Sequence, residues 1–130
     1  MALWGIETDQ ARRLKGARVL VVEDEYFIAD DLKRILEKAG ARVSGPVATL
    51  KSAHQSVNEG DFDFAVVDLN LRGESALPIA DRLLEQQKPF VIATGYDSAV
   101  VPERLSGVSR IEKPFDERAF LQVIGQLRNR

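Results

Sequence analysis

The stretch Val19-Leu20-Val21-Val22-Glu23-Asp24-Glu25 decides the fold, because four apolar residues stop abruptly at three acids. An unbroken apolar run of strand length, rich in β-branched residues, suits a strand buried on both faces. Two further runs have the same form: Phe64-Ala65-Val66-Val67 before Asp68, and Phe90-Val91-Ile92-Ala93 before Thr94. Strands of this kind belong in a parallel sheet covered by helices on either side. Two weaker candidates, around Val43 and across 108–112 (Val-Ser-Arg-Ile-Glu), alternate apolar with polar and so belong at the edges.

Helical spacing fills the gaps. Ile28, Leu32, Ile35, Leu36 and Ala39 recur at steps of three and four, with Gly40 as the stop. A weaker helix is expected from about Leu50 to Asn58, with Thr49 as its N-cap. Ala76, Ile79, Ala80, Leu83 and Leu84 form a third stripe, closed off by Pro89. Phe120, Val123, Ile124 and Leu127 form the last. Pro102 would fall inside any long helix over 98–105, so a short or irregular turn is expected there.

Strand then helix, five times over, implies right-handed crossovers in an α/β domain. With the wholly apolar strands central, the arrangement is a flavodoxin-like (βα)5 doubly wound parallel sheet in the order 2-1-3-4-5. Its ligand crevice lies beyond the carboxyl ends of strands one and three. Residues 1–16, with Leu3, Trp4 and Ile6, read as an N-terminal extension. Residues 17–130 read as one domain with nothing beyond Arg130.

Composition narrows the function. The 130 residues hold no cysteine, which excludes thiolate nucleophiles and cysteine zinc sites. Eighteen basic against 20 acidic residues give a net charge of −2 and argue against a nucleic-acid or anionic-membrane partner. The apolar runs are too short to cross a bilayer, and charges interrupt the first 20 residues where a signal peptide would need an apolar stretch. A cytoplasmic protein is expected.

Each strand of the inner sheet ends in a polar residue: Glu23-Asp24 after the first, Asp68 after the third, Thr94 after the fourth. Lys113-Pro114 follows the fifth. Singly, each has a plainer explanation, such as Asp24 capping the next helix. Together they fall on one rim. Two carboxylates about 4 Å apart repel by roughly 4 kcal/mol at an effective dielectric of 20. Three require a cation or raised pKa values. Mg²⁺ suits few carboxylates, several waters and phosphate oxygens. Beside it Asp68 can attack phosphorus to form an acyl phosphate. The Lys113 ammonium and the Thr94 hydroxyl would meet the phosphoryl oxygens.

Glu23-Asp24, Asp68, Thr94 and Lys113-Pro114, separated by 44, 26 and 19 residues from Asp24 onward, resemble the receiver domains of two-component response regulators. The likeness runs from about Ala17 to Arg128. It implies Mg²⁺, with Mn²⁺ or Ca²⁺ as substitutes, held by the side chains of Asp24 and Asp68, the backbone carbonyl of Asn70, and Glu23 mainly through water. It further implies Asp68 as phosphoacceptor, Lys113 as phosphate contact, Thr94 as switch hydroxyl and a cis bond between Lys113 and Pro114. The activity implied is confined to the domain's own phosphorylation and dephosphorylation, with a histidine kinase as donor. A protein target or a role as phosphate sink would follow.

Residues 89–96, PFVIATGY, are similar to the PFxFATGY signature of the "FAT GUY" subclass, with Ile92 for the second Phe. That subclass is commonly single-domain and works with HWE or related kinases. Two positions depart from the family: Arg110 stands where an aromatic often reports phosphorylation, and Arg72 where proline is frequent. The expected switch is therefore a reordering of 95–105 that moves Tyr96. A small haloacid-dehalogenase-like phosphatase is the alternative, although Asn70 stands where its second Asp would be. A flavodoxin-type nucleotide module fits poorly, since Glu23-Asp24-Glu25 would repel phosphate. A scaffold recognised without phosphorylation is the third alternative.

Overall fold

A computed structural model describes residues 13–95 and 101–128. The elements are β1 (Arg18–Val22), α1 (Tyr26–Lys38), β2 (Arg42–Val47), α2 (Leu50–Glu59), β3 (Phe64–Asp68), α3 (Leu77–Glu85), β4 (Phe90–Thr94), β5 (Ser109–Glu112) and α4 (Glu117–Arg128). The five strands lie in the order β2-β1-β3-β4-β5, and each neighbouring pair is parallel. This is the expected flavodoxin-like sheet.

The alternation of side chains along each strand divides the core in two. Val19, Val21, Phe64, Val66, Val91 and Ala93 face α1 and α4, meeting Leu32, Leu36, Phe120, Ile124 and Leu127. Leu20, Val22, Ala65, Val67, Phe90 and Ile92 face α2 and α3, meeting Ala53, Val57, Ile79, Ala80 and Leu83. Both faces of β1, β3 and β4 are thereby sealed, which is why their sequences show no polar alternation. The outer strands differ: only Ile111 of β5 is buried, and no residue of β2 is. Leu14, ahead of β1, is fully buried, and its N–H donates to Ala39 O at 2.9 Å. Truncating a core leucine such as Leu36 to alanine would cost about 2–5 kcal/mol.

Local chemistry sets the element ends. Thr49 caps α2, its side chain accepting from Ser52 N at 3.1 Å. Gly40, φ 100, follows the last turn of α1, and a Cβ there would lie 2.9 Å from the Lys15 Cα. After Pro102, which has extended backbone, the described residues form a 3-10 turn over Glu103–Leu105. Residues 96–100, with Tyr96 of the expected switch, and Leu3, Trp4 and Ile6 lie outside the described residues. Among the described residues, no helix is long and apolar enough to cross a membrane.

Candidate functional site

The parallel register brings the strand ends to one rim. Val22 of β1 pairs with Val67 of β3, Asp68 with Ala93 of β4, and Thr94 with Glu112 of β5. Glu23 and Asp24 therefore leave β1 beside Asp68, while Lys113 leaves β5 beside Thr94. Ligand oxygens of Glu23, Asp24 and Asp68 lie within 4.8 Å of one another. Asp24, Asp68, Asn70, Thr94 and Lys113 line one open cavity of about 830 Å³.

Lys113 ties the acids together. Its Nζ donates to Asp68 Oδ2 at 2.8 Å and lies 2.5 Å from Glu23 Oε1. The Glu23 side chain is 1% exposed, against 13% for both Asp68 and Lys113. Burial therefore pushes the Glu23 carboxyl up. The Lys113 ammonium pulls it back, the Asp68 charge raises it again, and it reaches about 7. For Lys113 burial acts downward, but hydrogen bonds to Asp68 and Glu23 outweigh it and hold its pKa above the usual lysine value. The Lys113–Pro114 bond is cis, as is Gly45–Pro46.

Backbone amides hold the carboxylates in place. Asn70 N donates to Asp68 Oδ1 at 2.9 Å, Glu25 N to Glu23 Oε2 at 3.1 Å, and Arg72 N to Asp24 Oδ2 at 2.9 Å. The capping alternative for Asp24 fails on geometry, because Glu25 occupies the N-cap of α1 and makes no side-chain cap. The sequence reading did not anticipate the support from Arg72. It arises from a small antiparallel ladder pairing Asn70–Leu71 with Glu74–Ser75, whose turn is secured by Gly73 N donating to Asn70 Oδ1 at 2.9 Å. The Arg72-Gly73 pair was the available signal, since a glycine in a two-residue loop marks such a hairpin.

Among the described residues Thr94 Oγ1 is buried without a hydrogen-bond partner, whereas the buried Glu23 Oε1 is held by the Lys113 ammonium at 2.5 Å. Burying a polar atom without a partner costs about 1–3 kcal/mol, so Thr94 Oγ1 marks a place where another group belongs. An all-oxygen set of three acids, with ligand oxygens within 4.8 Å of one another, fits a hard divalent cation such as Mg²⁺. The Asn70 side chain is committed to the hairpin, which leaves its carbonyl as the expected ligand. The Thr94 hydroxyl is a donor with no acceptor, as contact with an arriving anion requires. His54, the single histidine, stands apart, half-buried with Nδ1 3.3 Å from Arg82 Nη1.

Residues 19–125 match the family described as response regulator receiver domain. The sensory transduction protein LytT of Bacillus subtilis (strain 168) is 30% identical over 111 residues, 82% of this chain and 46% of that protein. The aerobic respiration control protein ArcA of Escherichia coli (strain K12) is 32% identical over 111 residues, 81% of this chain and 45% of that protein. The chain thus spans less than half the length of these curated relatives. Among solved structures, SdrG from Sphingomonas melonis Fr1 is 34% identical with a TM-score of 0.78, covering 88% of this chain and 97% of that one. The PhyR response regulator REC domain of Erythrobacter litoralis, 24% identical with a TM-score of 0.79, covers 88% and 92% and shares the fold.

Proposed function

We propose, from the premise that this chain belongs to the response regulator receiver domain family, that Asp68 accepts a phosphoryl group from a histidine kinase and so changes how the domain engages a protein partner. The observation that carries the reading is the convergence of Asp68 with Glu23, Asp24 and the Lys113 ammonium at one rim of the sheet, where Asp24, Asp68 and Lys113 line a cavity. Glu23, Asp24, Asp68 and the Asn70 carbonyl would hold Mg²⁺, which supplies the positive charge that lets an anionic carboxylate meet an anionic phosphoryl group.

The chain's own groups do the rest. Asn70 N and Lys113 Nζ fix the Asp68 carboxylate so that an oxygen faces the cavity. As the donor bond breaks, that oxygen attacks phosphorus in line and becomes an acyl phosphate. Lys113 passes from the carboxylate to the phosphoryl oxygens and offsets their charge. The Thr94 hydroxyl donates to one of those oxygens and gains the acceptor it lacks. No substrate turnover is expected beyond loss of this phosphoryl group to water.

The PFVIATGY stretch supports a place in the FAT GUY subclass and an HWE-type kinase acting in the cytoplasm. The output is either a protein target or a phosphate sink. The haloacid-dehalogenase-like alternative finds no support in the family match. The test is incubation with acetyl phosphate and Mg²⁺ followed by intact mass. One phosphoryl group should be added to the wild type, and none to Asp68→Ala or without Mg²⁺. Multiple turnovers of a phosphoester substrate would overturn the reading in favour of a phosphatase.

A further inference from the structure

The hairpin beyond β3 holds an arginine in a conformation that disfavours one. Arg72 has φ 53 and Gly73 φ 84, so both central residues of the two-residue turn are left-handed. That pattern favours Asn, Asp or Gly. Nothing in the local fold requires the side chain. The bond to Asp24 Oδ2 comes from the Arg72 backbone N–H, which any residue but proline could supply. The residue is exposed, and its guanidinium has no ion-pair partner among the described residues. Yet Arg72 lines the same cavity as Asp24, Asp68, Thr94 and Lys113. A strained backbone that persists without a structural return points to use of the side chain.

The charge balance of the cavity suggests that use. Two further carboxylates, those of Glu23 and Asp24, crowd Asp68, while Lys113 is tied to Glu23 and to Asp68 itself. A phosphodonor dianion therefore approaches an acidic rim whose one ammonium is already engaged. We propose that the Arg72 guanidinium is a second cationic contact for the donor, meeting its phosphoryl oxygens from the hairpin side while Lys113 serves from β5. This rests on Asp68 being the phosphoacceptor. With acetyl phosphate, the bond from an Asp68 oxygen to phosphorus forms as the bond from phosphorus to the bridging oxygen breaks. Acetate leaves with the electron pair. Arg72 exchanges no proton, because guanidinium stays charged throughout.

The experiment follows the rate of labelling by acetyl phosphate at fixed Mg²⁺ in wild type, Arg72→Asn and Arg72→Lys, at low and high ionic strength. Asn tolerates the left-handed turn without the charge, and Lys keeps the charge. At low salt the Asn variant should label about fivefold more slowly, with Lys within about twofold of wild type. The gap should narrow at high salt as screening shortens the reach of the charge. The melting temperature of the Asn variant should not fall, which separates charge from damage to the turn. Labelling of the Asn variant at the wild-type rate at low salt would overturn the proposal, as would a Lys variant as slow as Asn. If the wild type takes no label, the reading of Asp68 fails and this proposal falls with it.

Discussion

Replacing Asp24 by asparagine should stabilise the metal-free domain while removing most of its response to Mg²⁺. The three acids have ligand oxygens within 4.8 Å of one another. At that separation and an effective dielectric of 20, each pair of charges repels by about 3–4 kcal/mol. Asp24→Asn relieves two of the three pairs and keeps the shape and the acceptor for Arg72 N. Half-exposure of Asp24 and the Lys113 charge absorb much of this, so a net gain of about 1–3 kcal/mol is expected. Urea unfolding with chelator at pH 8, where Glu23 is ionised, reads the gain directly. At pH 6, with Glu23 largely protonated, the gain should shrink. Free Mg²⁺ at ten times its dissociation constant should stabilise the wild type by about 1.4 kcal/mol and the variant by much less. A variant less stable than wild type without metal, or one retaining the full Mg²⁺ effect, would refute the electrostatic reasoning.

Three further outcomes follow from the same geometry. Burial pushes the Glu23 carboxyl up from its ordinary 4.5 to about 7, so the fold favours its protonated form. Its contribution is fully present below about pH 4.5 and is lost as pH rises through about 7, so metal-free stability attributable to this group should fall across that window, and saturating Mg²⁺ should flatten the decline. Lys113→Met strips the cation from buried Glu23 and partly buried Asp68 and should cost about 2–4 kcal/mol at pH 8, less at pH 6; chemical denaturation at both pH values checks it. Thr94→Val removes a hydroxyl with no partner and should stabilise the unphosphorylated domain by about 1 kcal/mol, while altering the lifetime of the phosphorylated form measured by mass.

How far the molecule can be read from its sequence depends on periodicity. The runs at Val19, Phe64 and Phe90 were legible because both faces of those strands are sealed, leaving no polar interruption to confuse strand with loop. Once strand order followed, the rim residues followed too, since a parallel sheet puts every carboxyl end on one side. The hairpin at 70–75 carried only the weak signal of Gly73 in its turn, because two residues per strand show no period. Its consequence, a backbone amide holding Asp24, was therefore invisible. Leu14 was missed likewise, because one buried residue before β1 makes no pattern. The orphaned Thr94 Oγ1 depends on hydrogen-bond alignment, which residue spacing does not encode.

The central claim is that Asp68, and no other carboxylate of the cluster, takes the phosphoryl group. Borohydride reduces an acyl phosphate at an aspartate to homoserine, so labelled protein can be trapped, digested and mapped by mass. Homoserine should be found at position 68 alone, and only in samples that received both acetyl phosphate and Mg²⁺. Homoserine derived from Asp24, or label retained with residue 68 still aspartate, would contradict the account.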